Sequence, residues 1–401
     1  MGDFYKVPIA VAFLVSSMVA IFTLRDRPLN ARIKAFSKGA SSDNMILMIC
    51  IFILAGAFAS SAKEMGSIDN TINLALGFLP ANMIMAGLFL AACFISISVG
   101  TSVGTVAALV PIASGLASHT GADTAMLTGV VVGGALFGDN LSFISDTTVV
   151  ATQTQGCRMA DKFHANLLIV APAAILIFIL YIILGYDIQA ITHEIKTDFI
   201  KVVPYLAVLI TAAWGMNVLV VLTLGIFLTG IIGLSTGAYD IFGFMQSLNH
   251  GIMDMSELII VTMLAGGMLE IVKINGGIHR IINIITKHVN SRIGGESAIA
   301  ALVVLVNFCT ANNTVTIITV GPIAKEIADK FSIDPRRSAS ILDTFSCFAQ
   351  GIIPYGAQLL MAGGLAAITP ISIIPYLYYP FALGIVASIA ILTGRPHKFT
   401  K

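Results

Sequence analysis

Long apolar runs recur along the chain and constrain its fold more than any other feature. Such runs occupy residues 7–24, 44–62, 166–184 and 217–234. A helix needs about 20 apolar residues to cross the hydrocarbon core of a bilayer, which is roughly 30 Å thick, and each run approaches that length. A transmembrane barrel would instead show short segments of alternating hydrophobicity. The sequence therefore predicts an all-α integral membrane protein.

Composition narrows the function classes. Only 11% of the 401 residues are charged, whereas soluble domains carry about 25%. The net charge is +1 and no basic stripe lies outside the short loops, so we expect no nucleic-acid partner. The five cysteines show no paired spacing, and no nucleophile lies beside a base within the apolar runs. We therefore expect no enzyme, no cofactor and no transition-metal site.

The chain also resembles itself. A shift of 211 residues places Pro111-Ile112-Ala113 on Pro322-Ile323-Ala324 and the polar pair Thr101-Ser102 on Asn312-Asn313. The apolar runs follow the same shift in the same order. The sequence therefore predicts two repeats, and its divisions are a first repeat at 1–186, a connector with one extra helix at 187–214, and a second repeat at 215–401.

Each repeat is predicted to contain a re-entrant hairpin followed by a broken helix. The hairpins are expected at about 81–120 and about 295–333, and the broken helices at about 122–155 and about 337–367. Broken helices at matched positions in two repeats indicate a transporter site. This model has nine full crossings, and a simple bundle without hairpins is the alternative.

Basic loops predict the orientation, because Lys and Arg collect on the cytoplasmic side. The loop after the first run holds five basic residues between Arg25 and Lys38, so we place the N-terminus outside. The extra helix of the connector then inverts the second repeat. This places Arg158 and Lys162 in one inner loop and Arg336 and Arg337 in another, with the C-terminus cytoplasmic.

Two polar clusters lie at the predicted hairpin tips. The first holds Thr101, Ser102 and Thr105 next to Gly100 and Gly104, and such small residues can simply allow close helix packing. The second, Asn312-Asn313-Thr314, is too polar for packing alone. We expect the two tips to meet near the membrane midplane.

The third polar cluster is FGDNLSFISDTTVVATQTQ, residues 137–155, in the middle of a predicted span. A carboxylate at the bilayer centre costs about 2.5–3.5 kcal/mol on the mildest scale, and these residue types favour caps and turns, so we expect an unwound segment. Carboxylate, amide and hydroxyl oxygens are ligands for hard cations. A buried carboxylate can bind a proton when the cation is absent, so Na+ and H+ could compete here, although a purely structural network is the alternative. The predicted cation and proton ligands are Asp139, Asn140, Ser142, Ser145, Asp146, Thr147 and Thr148.

The matching segment of the second repeat, residues 349–358, contains no acid. Asp343, about one turn of helix inside from Arg336 and Arg337, and Gln350 are secondary candidates for the site. We identify no Lys or Arg in the middle of a predicted span, which favours a cation over an anion as the transported substrate.

These motifs resemble a known family. GDNLSFISDTTVVATQTQGC, residues 138–157, resembles the GDNLSPISDTT signature of NhaC-type Na+/H+ antiporters, with Phe143 in place of the proline. ISVGTSVGTVAALVPIA is similar to the segment that precedes the signature in that family. The resemblance implies the fold of the ion transporter superfamily, a homodimer with an elevator-like mechanism, and exchange of Na+ or Li+ for H+ across a bacterial cytoplasmic membrane.

The resemblance also carries residue roles and alternatives. It marks the seven polar residues of the third cluster as cation-site candidates, and it places Asn312, Asn313 and Thr314 where related carboxylate transporters hold a Ser-Asn-Thr type motif. The family resembled also includes exchangers coupled to malate or lactate, so a Na+/H+-coupled exchanger or symporter of a small organic acid or amino acid is the alternative. A channel is disfavoured because inverted repeats are typical of alternating access.

Overall fold

The computed structural model describes residues 8–78, 80–142, 145–186, 188, 198–214, 216–277, 280, 284–285 and 289–394. Every regular element within these ranges is helical. The predicted all-α class is therefore confirmed for the part of the chain that the structure describes.

The described residues of the first half form nine α-helices and one short 3-10 turn at Ala81–Met83. The α-helices are α1 (Ile9–Thr23), α2 (Leu29–Ala40), α3 (Asp43–Glu64), α4 (Ser67–Phe78), α5 (Ile84–Val99), α6 (Ser102–Thr120), α7 (Thr124–Leu141), α8 (Asp146–Gln155) and α9 (Met159–Gly185).

The described part of the connector contains one helix, α10 (Phe199–Ala213), and the second half follows it. Its described helices are α11 (Val218–Thr236), α12 (Ile241–Asp254), α13 (Ser256–Ile274), α14 (Arg292–Thr310), α15 (Asn313–Lys330), α16 (Pro335–Ile352), α17 (Ala357–Ala366), α18 (Pro370–Ile373) and α19 (Tyr378–Leu392). A second 3-10 turn, Ile374–Tyr376, joins α18 to α19.

The chain is a multi-pass membrane protein. Among the described residues, 6 helices are long and apolar enough to cross a membrane, or up to 8 spans if each of two bent pairs counts as one. Four shorter apolar helices add to these. The nine crossings and two re-entrant hairpins remain a prediction, because length and composition alone do not give membrane depth.

Two tight breaks separate consecutive helices that pack against each other. The helix α5 ends at Gly100, which has a φ of 73°, and extended Thr101 leads into α6. In the second half α14 ends at Ala311, with a φ of 49°, and extended Asn312 leads into α15. Gly100 and Ala311 are 211 positions apart, so the same left-handed turn occurs at matched positions of the two halves.

The packing between the halves is reciprocal. α3 packs on α12, and in exchange α2 packs on α13. In the same way α8 packs on α15 while α6 packs on α17, and α9 packs on α16 while α7 packs on α19. Each contact thus recurs with the two halves exchanged, which is the pattern that a two-fold relation between repeats produces.

Glycines permit the closest of these crossings. A Cβ on Gly56 of α3 would lie 2.2 Å from the carbonyl oxygen of Gly251 of α12, and a Cβ on Gly39 of α2 would lie 2.3 Å from that of Gly266 of α13. Small residues let helix backbones approach in membrane proteins. The two matched crossings therefore depend on glycine.

A buried ion pair joins α14, α16 and α19. Arg337 is 1% exposed, donates from Nη2 to Glu296 Oε2 at 3.0 Å, and donates to the carbonyl oxygen of Ala390 at 2.8 Å. The sequence placed Arg337 on the cytoplasmic side, at the start of the predicted broken helix at about 337–367, and did not predict its burial. The residue lies in the first turn of α16 with its side chain directed into the bundle. Contacts from α14 and α19, 41 and 53 residues away, bury it.

Removal of one partner of this pair should destabilise the protein. Glu296→Leu takes away the carboxylate facing Arg337, and loss of one partner from a buried pair costs roughly 3–5 kcal/mol. We expect a clear fall in the thermal unfolding temperature of the purified protein in detergent. The double variant Glu296→Leu/Arg337→Leu should recover most of the lost unfolding temperature.

The matched control is Lys325→Ala, which removes an exposed pair with Asp329 at 4.0 Å. Exposed pairs contribute about 0–1 kcal/mol, so this variant should unfold close to the wild-type temperature. Equal losses in Glu296→Leu and the control would contradict the role given to the buried pair.

Candidate functional site

The helix breaks between α7 and α8, within the third polar cluster. Ser142 leaves the helix with extended backbone, and Ser145 is the N-cap of α8, where its Oγ accepts from the peptide nitrogen of Thr148. Ser145 Oγ also donates to the carbonyl oxygen of Asp139 at 2.9 Å. Phe143 and Ile144 lie outside the described residues. The chain therefore leaves and re-enters helix between Leu141 and Asp146, where the sequence predicts an unwound segment.

The break is held against the end of α5. Ser142 Oγ donates to the carbonyl oxygen of Ile97 at 2.8 Å, and Gly138 brings α7 so close that an added Cβ would lie 2.5 Å from the peptide nitrogen of Ile97. The break thereby sits beside the turn that joins α5 to α6.

Asp139 lies where both tips meet. Its side chain is 5% exposed, and Oδ2 accepts from Ser102 Oγ at 2.8 Å and from Asn313 Nδ2 at 3.3 Å. Ser102 begins α6 and Asn313 begins α15, so one residue from each tip hydrogen-bonds the same carboxylate oxygen. The sequence predicted a meeting of the tips but not that this aspartate joins them.

A chain of amides continues from this carboxylate. Ser102 Oγ accepts from Gln358 Nε2 at 2.9 Å, and Gln358 Oε1 accepts from Gln350 Nε2 at 2.8 Å. Gln350 Nε2 also donates to the carbonyl oxygen of Ala311 at 3.1 Å, in the second tip. The other amide oxygen, Gln350 Oε1, is buried without a hydrogen-bond partner. It is thus an oxygen available to a ligand.

These groups surround a cavity of about 110 Å³. Leu47, Met48 and Ile51 of α3 form an apolar part of its wall. The polar part comes from both tips, from the α7–α8 break, and from the end of α16 and the start of α17. The polar lining residues are Thr101, Ser102, Asp139, Asp146, Thr147, Asn312, Asn313, Thr314, Gln350 and Gln358. The cavity therefore offers carboxylate, hydroxyl and amide oxygens in one place, as a hard cation requires.

The predicted site residues fall into two groups. Asp139, Asp146 and Thr147 line the cavity, with Asp146 exposed. The other four hold the break instead, and these are Asn140, Ser142, Ser145 and Thr148. Thr105 does not line the cavity and donates to the carbonyl oxygen of Thr101 at 3.1 Å.

Sequence reasoning missed Lys162, as it missed Gln358 in the cavity wall. Its side chain is fully buried, pairs with Asp343, and donates from Nζ to the carbonyl oxygen of Asn140 at 2.6 Å and to Thr148 Oγ1 at 2.7 Å. The sequence placed Lys162 on the cytoplasmic side before a predicted span and did not predict its burial, whereas the residue lies at the start of α9 with its side chain buried. The first residues of α9 are polar and therefore resemble a loop in the sequence. The residues that bury Lys162 are distant in sequence.

One local signal was present. Asn166 follows Lys162 by four residues, so both lie on the same helix face, and both are fully buried. Asn166 Nδ2 donates to Asp343 Oδ2 at 3.2 Å and to Asn140 Oδ1 at 3.0 Å. Asp343 therefore belongs to a buried network next to the cavity and does not line the cavity itself.

No group of three or more His, Cys, Asp or Glu residues within the described ranges could hold a metal ion. The cavity instead combines the Asp139 and Asp146 carboxylates with neutral oxygen donors. Such oxygen ligands suit a hard cation.

Comparison with known proteins covers nearly the whole chain. The model of the Na+/H+ antiporter family matches residues 6–186 and 188–395. Among solved structures, the YdaH transporter of Alcanivorax borkumensis covers 97% of this chain and 99% of that chain at 11% identity, with a TM-score of 0.48.

Curated relatives share long alignments with the chain. The Na+/H+ antiporter NhaC of Bacillus subtilis (strain 168) is 26% identical, covering 88% of this chain and 84% of the relative. The NhaC antiporter of Alkalihalophilus pseudofirmus is 24% identical, covering 86% and 81%. The malate-2H+/Na+-lactate antiporter of B. subtilis is 22% identical, covering 99% and 91%.

The contact between α7 and α5 at Gly138 gives a test of the site's architecture. Gly138→Ala would place its Cβ 2.3 Å from Ser96 Cβ and against the backbone of Ile97, and such overpacking typically costs about 1–3 kcal/mol. We expect a lower thermal unfolding temperature in detergent. Gly243→Ala is the control, because its nearest contact is 3.1 Å from Tyr239 Cβ. A Gly138→Ala protein as stable as the control would contradict the close approach.

Proposed function

The chain belongs to the Na+/H+ antiporter family, whose members are membrane transporters rather than enzymes, and we propose that Asp139 is the carboxylate at which Na+ and H+ compete. The observation that carries this proposal is the convergence of both tips on Asp139 at the wall of the polar cavity. Asp139 forms no ion pair with a described residue, whereas Asp343 is paired with Lys162. Asp139 is therefore the deep carboxylate that is left for a mobile cation.

Competition follows from the cost of burying charge. A carboxylate removed from water is costly unless it pairs with a cation or becomes neutral. Na+ would bind Asp139 together with neutral oxygens such as those of Thr147 and Gln350, and a proton would neutralise the same carboxyl group. Because one group cannot hold both, the arrival of one ion releases the other. The transported ions are Na+ or Li+ and H+, and no cofactor takes part.

Alternating access requires the site to reach both sides of the membrane. We propose that the halves are inverted repeats and that the bundle around the tips moves along α3 in an elevator-like manner. Two observations support this proposal. The packing of the halves is reciprocal, and a second cavity of about 480 Å³ lies farther along the contact of α3 with α6 and α17. α3 contributes Ala59 and Lys63 to this cavity, α6 contributes Ser118, and α17 contributes Leu365.

An apolar zone separates the two cavities. Phe52 of α3, Val110 of α6 and Leu360 of α17 are buried in one hydrophobic cluster between the two sets of lining residues. A shift of α6 and α17 along α3, with α7 moving as part of the same bundle, would carry Asp139 past Phe52 of α3. With the N-terminus outside and the C-terminus cytoplasmic, α3 begins on the inner side, and the Asp139 cavity in this structure faces inward. The homodimer implied by the family resemblance belongs to the same proposal.

A small carboxylate is the second candidate substrate. The malate-2H+/Na+-lactate relative and the amides of Asn312 and Asn313 in the cavity wall favour it. Against a carboxylate substrate, no Lys, Arg or His among the described residues lines the cavity. The ammonium of Lys162 is directed to Asp343 and not to the cavity. A cation is therefore the better-supported substrate, although Lys162 is buried close by.

Inside-out vesicles from antiporter-deficient cells distinguish the two substrates. A pH-sensitive dye reports lumen acidity while Na+, Li+, K+ or malate is added at several pH values. Recovery of the dye signal with Na+ or Li+ alone is the expected result. Recovery only when an organic acid is also present would support the carboxylate exchanger and contradict simple cation exchange.

Asp139→Asn should abolish exchange while leaving the protein folded, because the amide keeps the side-chain shape and removes the group that binds H+ and Na+. Asp146→Asn should raise the Na+ concentration for half-maximal exchange without abolishing transport, because its exposed carboxylate lies at the cavity wall. Both effects are measured in proteoliposomes.

Asp329→Asn is the control for these variants, since that carboxylate is 68% exposed and far along α15 from the tip. It should exchange as the wild type does. An Asp139→Asn protein with wild-type exchange would show that the competing carboxylate lies elsewhere.

A further inference from the structure

Lys162 places a fixed positive charge next to the proposed exchange site. It lies in the second turn of α9 with its side chain fully buried. Its Nζ contacts three oxygens, in the Asp343 carboxylate, the Asn140 carbonyl and the Thr148 hydroxyl. A lysine ammonium has three N–H donors, so each donor has an oxygen partner.

The three oxygens are of the types that bind a hard cation. Carboxylate, peptide carbonyl and hydroxyl oxygens are typical ligands of such ions in proteins. The carbonyl and the hydroxyl come from the two sides of the α7–α8 break, and the carboxylate comes from α16. The ammonium therefore occupies the place that a free cation would take among these groups.

The carboxylate among these three oxygens, that of Asp343, is also fixed by donors other than Lys162. Asp343 Oδ2 accepts from Asn140 Nδ2 at 3.1 Å and from Asn166 Nδ2 at 3.2 Å, and Asp343 is 0% exposed. Two amide donors thus fix the carboxylate independently of Lys162. The position would keep its shape if the ammonium were removed.

Asn140 connects this position to the exchange site. It follows Asp139 directly in the last turn of α7, so the two side chains point in different directions. Asp139 lines the cavity, while the carbonyl and the side chain of Asn140 contact Lys162 and Asp343. The carboxylates of Asp139 and Asp343 therefore belong to adjacent positions, which lie on either side of the last turn of α7.

We propose that the Lys162 ammonium is a resident cation that fills a second cation position beside Asp139, so that the deep site exchanges one mobile cation instead of two. This inference rests on the proposed function, with Asp139 as the exchange carboxylate. Lys162 cancels the charge of Asp343 and leaves that of Asp139 for Na+ or H+. Lys162 is thus a positioning and charge-setting residue that does not touch the transported ion.

Lys162→Met tests the proposal, because methionine keeps an unbranched chain and removes the charge. Asp343 then lacks its resident cation, and a second Na+ should bind. We expect Na+ activation of exchange to become cooperative, with a Hill coefficient rising from near one toward two. Na+ should also raise the thermal unfolding temperature of the purified variant more steeply than that of the wild type, because binding to the folded state stabilises it.

The double variant Lys162→Met/Asp343→Asn is the matched control. It lacks the second carboxylate, so its Na+ activation should return to a Hill coefficient near one. If Lys162 had only a structural role, the cooperativity of Na+ activation would be unchanged in both variants.

Asp343→Asn keeps the test decisive if Lys162→Met fails to fold. It retains the ammonium and removes the carboxylate that balances it, so the uncompensated charge should repel Na+ from Asp139. We expect about a tenfold rise in the Na+ concentration for half-maximal exchange, with the rate at saturating Na+ little changed. Addition of Lys162→Met to this variant should restore the wild-type value.

The outcomes separate the two proposals. Wild-type exchange together with a Hill coefficient near one in Lys162→Met overturns the resident-cation role. If that variant does not fold, a wild-type half-saturation value in Asp343→Asn overturns it instead. A wild-type protein that does not exchange Na+ for H+, or an Asp139→Asn protein that does, contradicts the proposed function itself.

Discussion

The hydrogen bonds that converge on Asp139 are the interaction on which the rest of the site depends. A carboxylate this deeply buried needs partners, and it obtains one from each half of the chain, Ser102 and Asn313. Those partners exist only because each tip turns sharply, at Gly100 and Ala311. The close glycine contact between α7 and α5 then sets the distance from the break to the first tip. Turns, crossings and polar contacts together define one small cavity.

The two halves share a geometry and differ in charge. Gln350 stands 211 positions after Asp139 and also lines the cavity, so the second half supplies a neutral amide where the first supplies an acid. An amide has nearly the shape of a carboxyl group but cannot exchange a proton. The matched architecture therefore builds a pocket from both sides, while the charge comes from Asp139 and from Asp146, both in the first half.

The breaks and the tips could be predicted from sequence because their signals are local. Glycine, serine and asparagine within apolar runs mark the ends of helices, and the structure places breaks at Gly100, Ser142 and Ala311. Burial of charge could not be predicted in the same way. Lys162 and Arg337 stand in polar stretches that look like loops, and they are buried by partners from distant helices. The sequence also assigned Asn140 and Thr148 to the cation, whereas both contact Lys162.

Proton release on Na+ binding tests the central claim most directly. Purified protein in weakly buffered detergent is mixed with NaCl while a pH indicator dye is followed, at a pH where the cation-free site carries its proton. The account predicts release of about one proton per bound Na+, and neither proton release nor Na+ binding in Asp139→Asn. Na+ binding to the wild type without proton release would contradict competition at a single carboxylate.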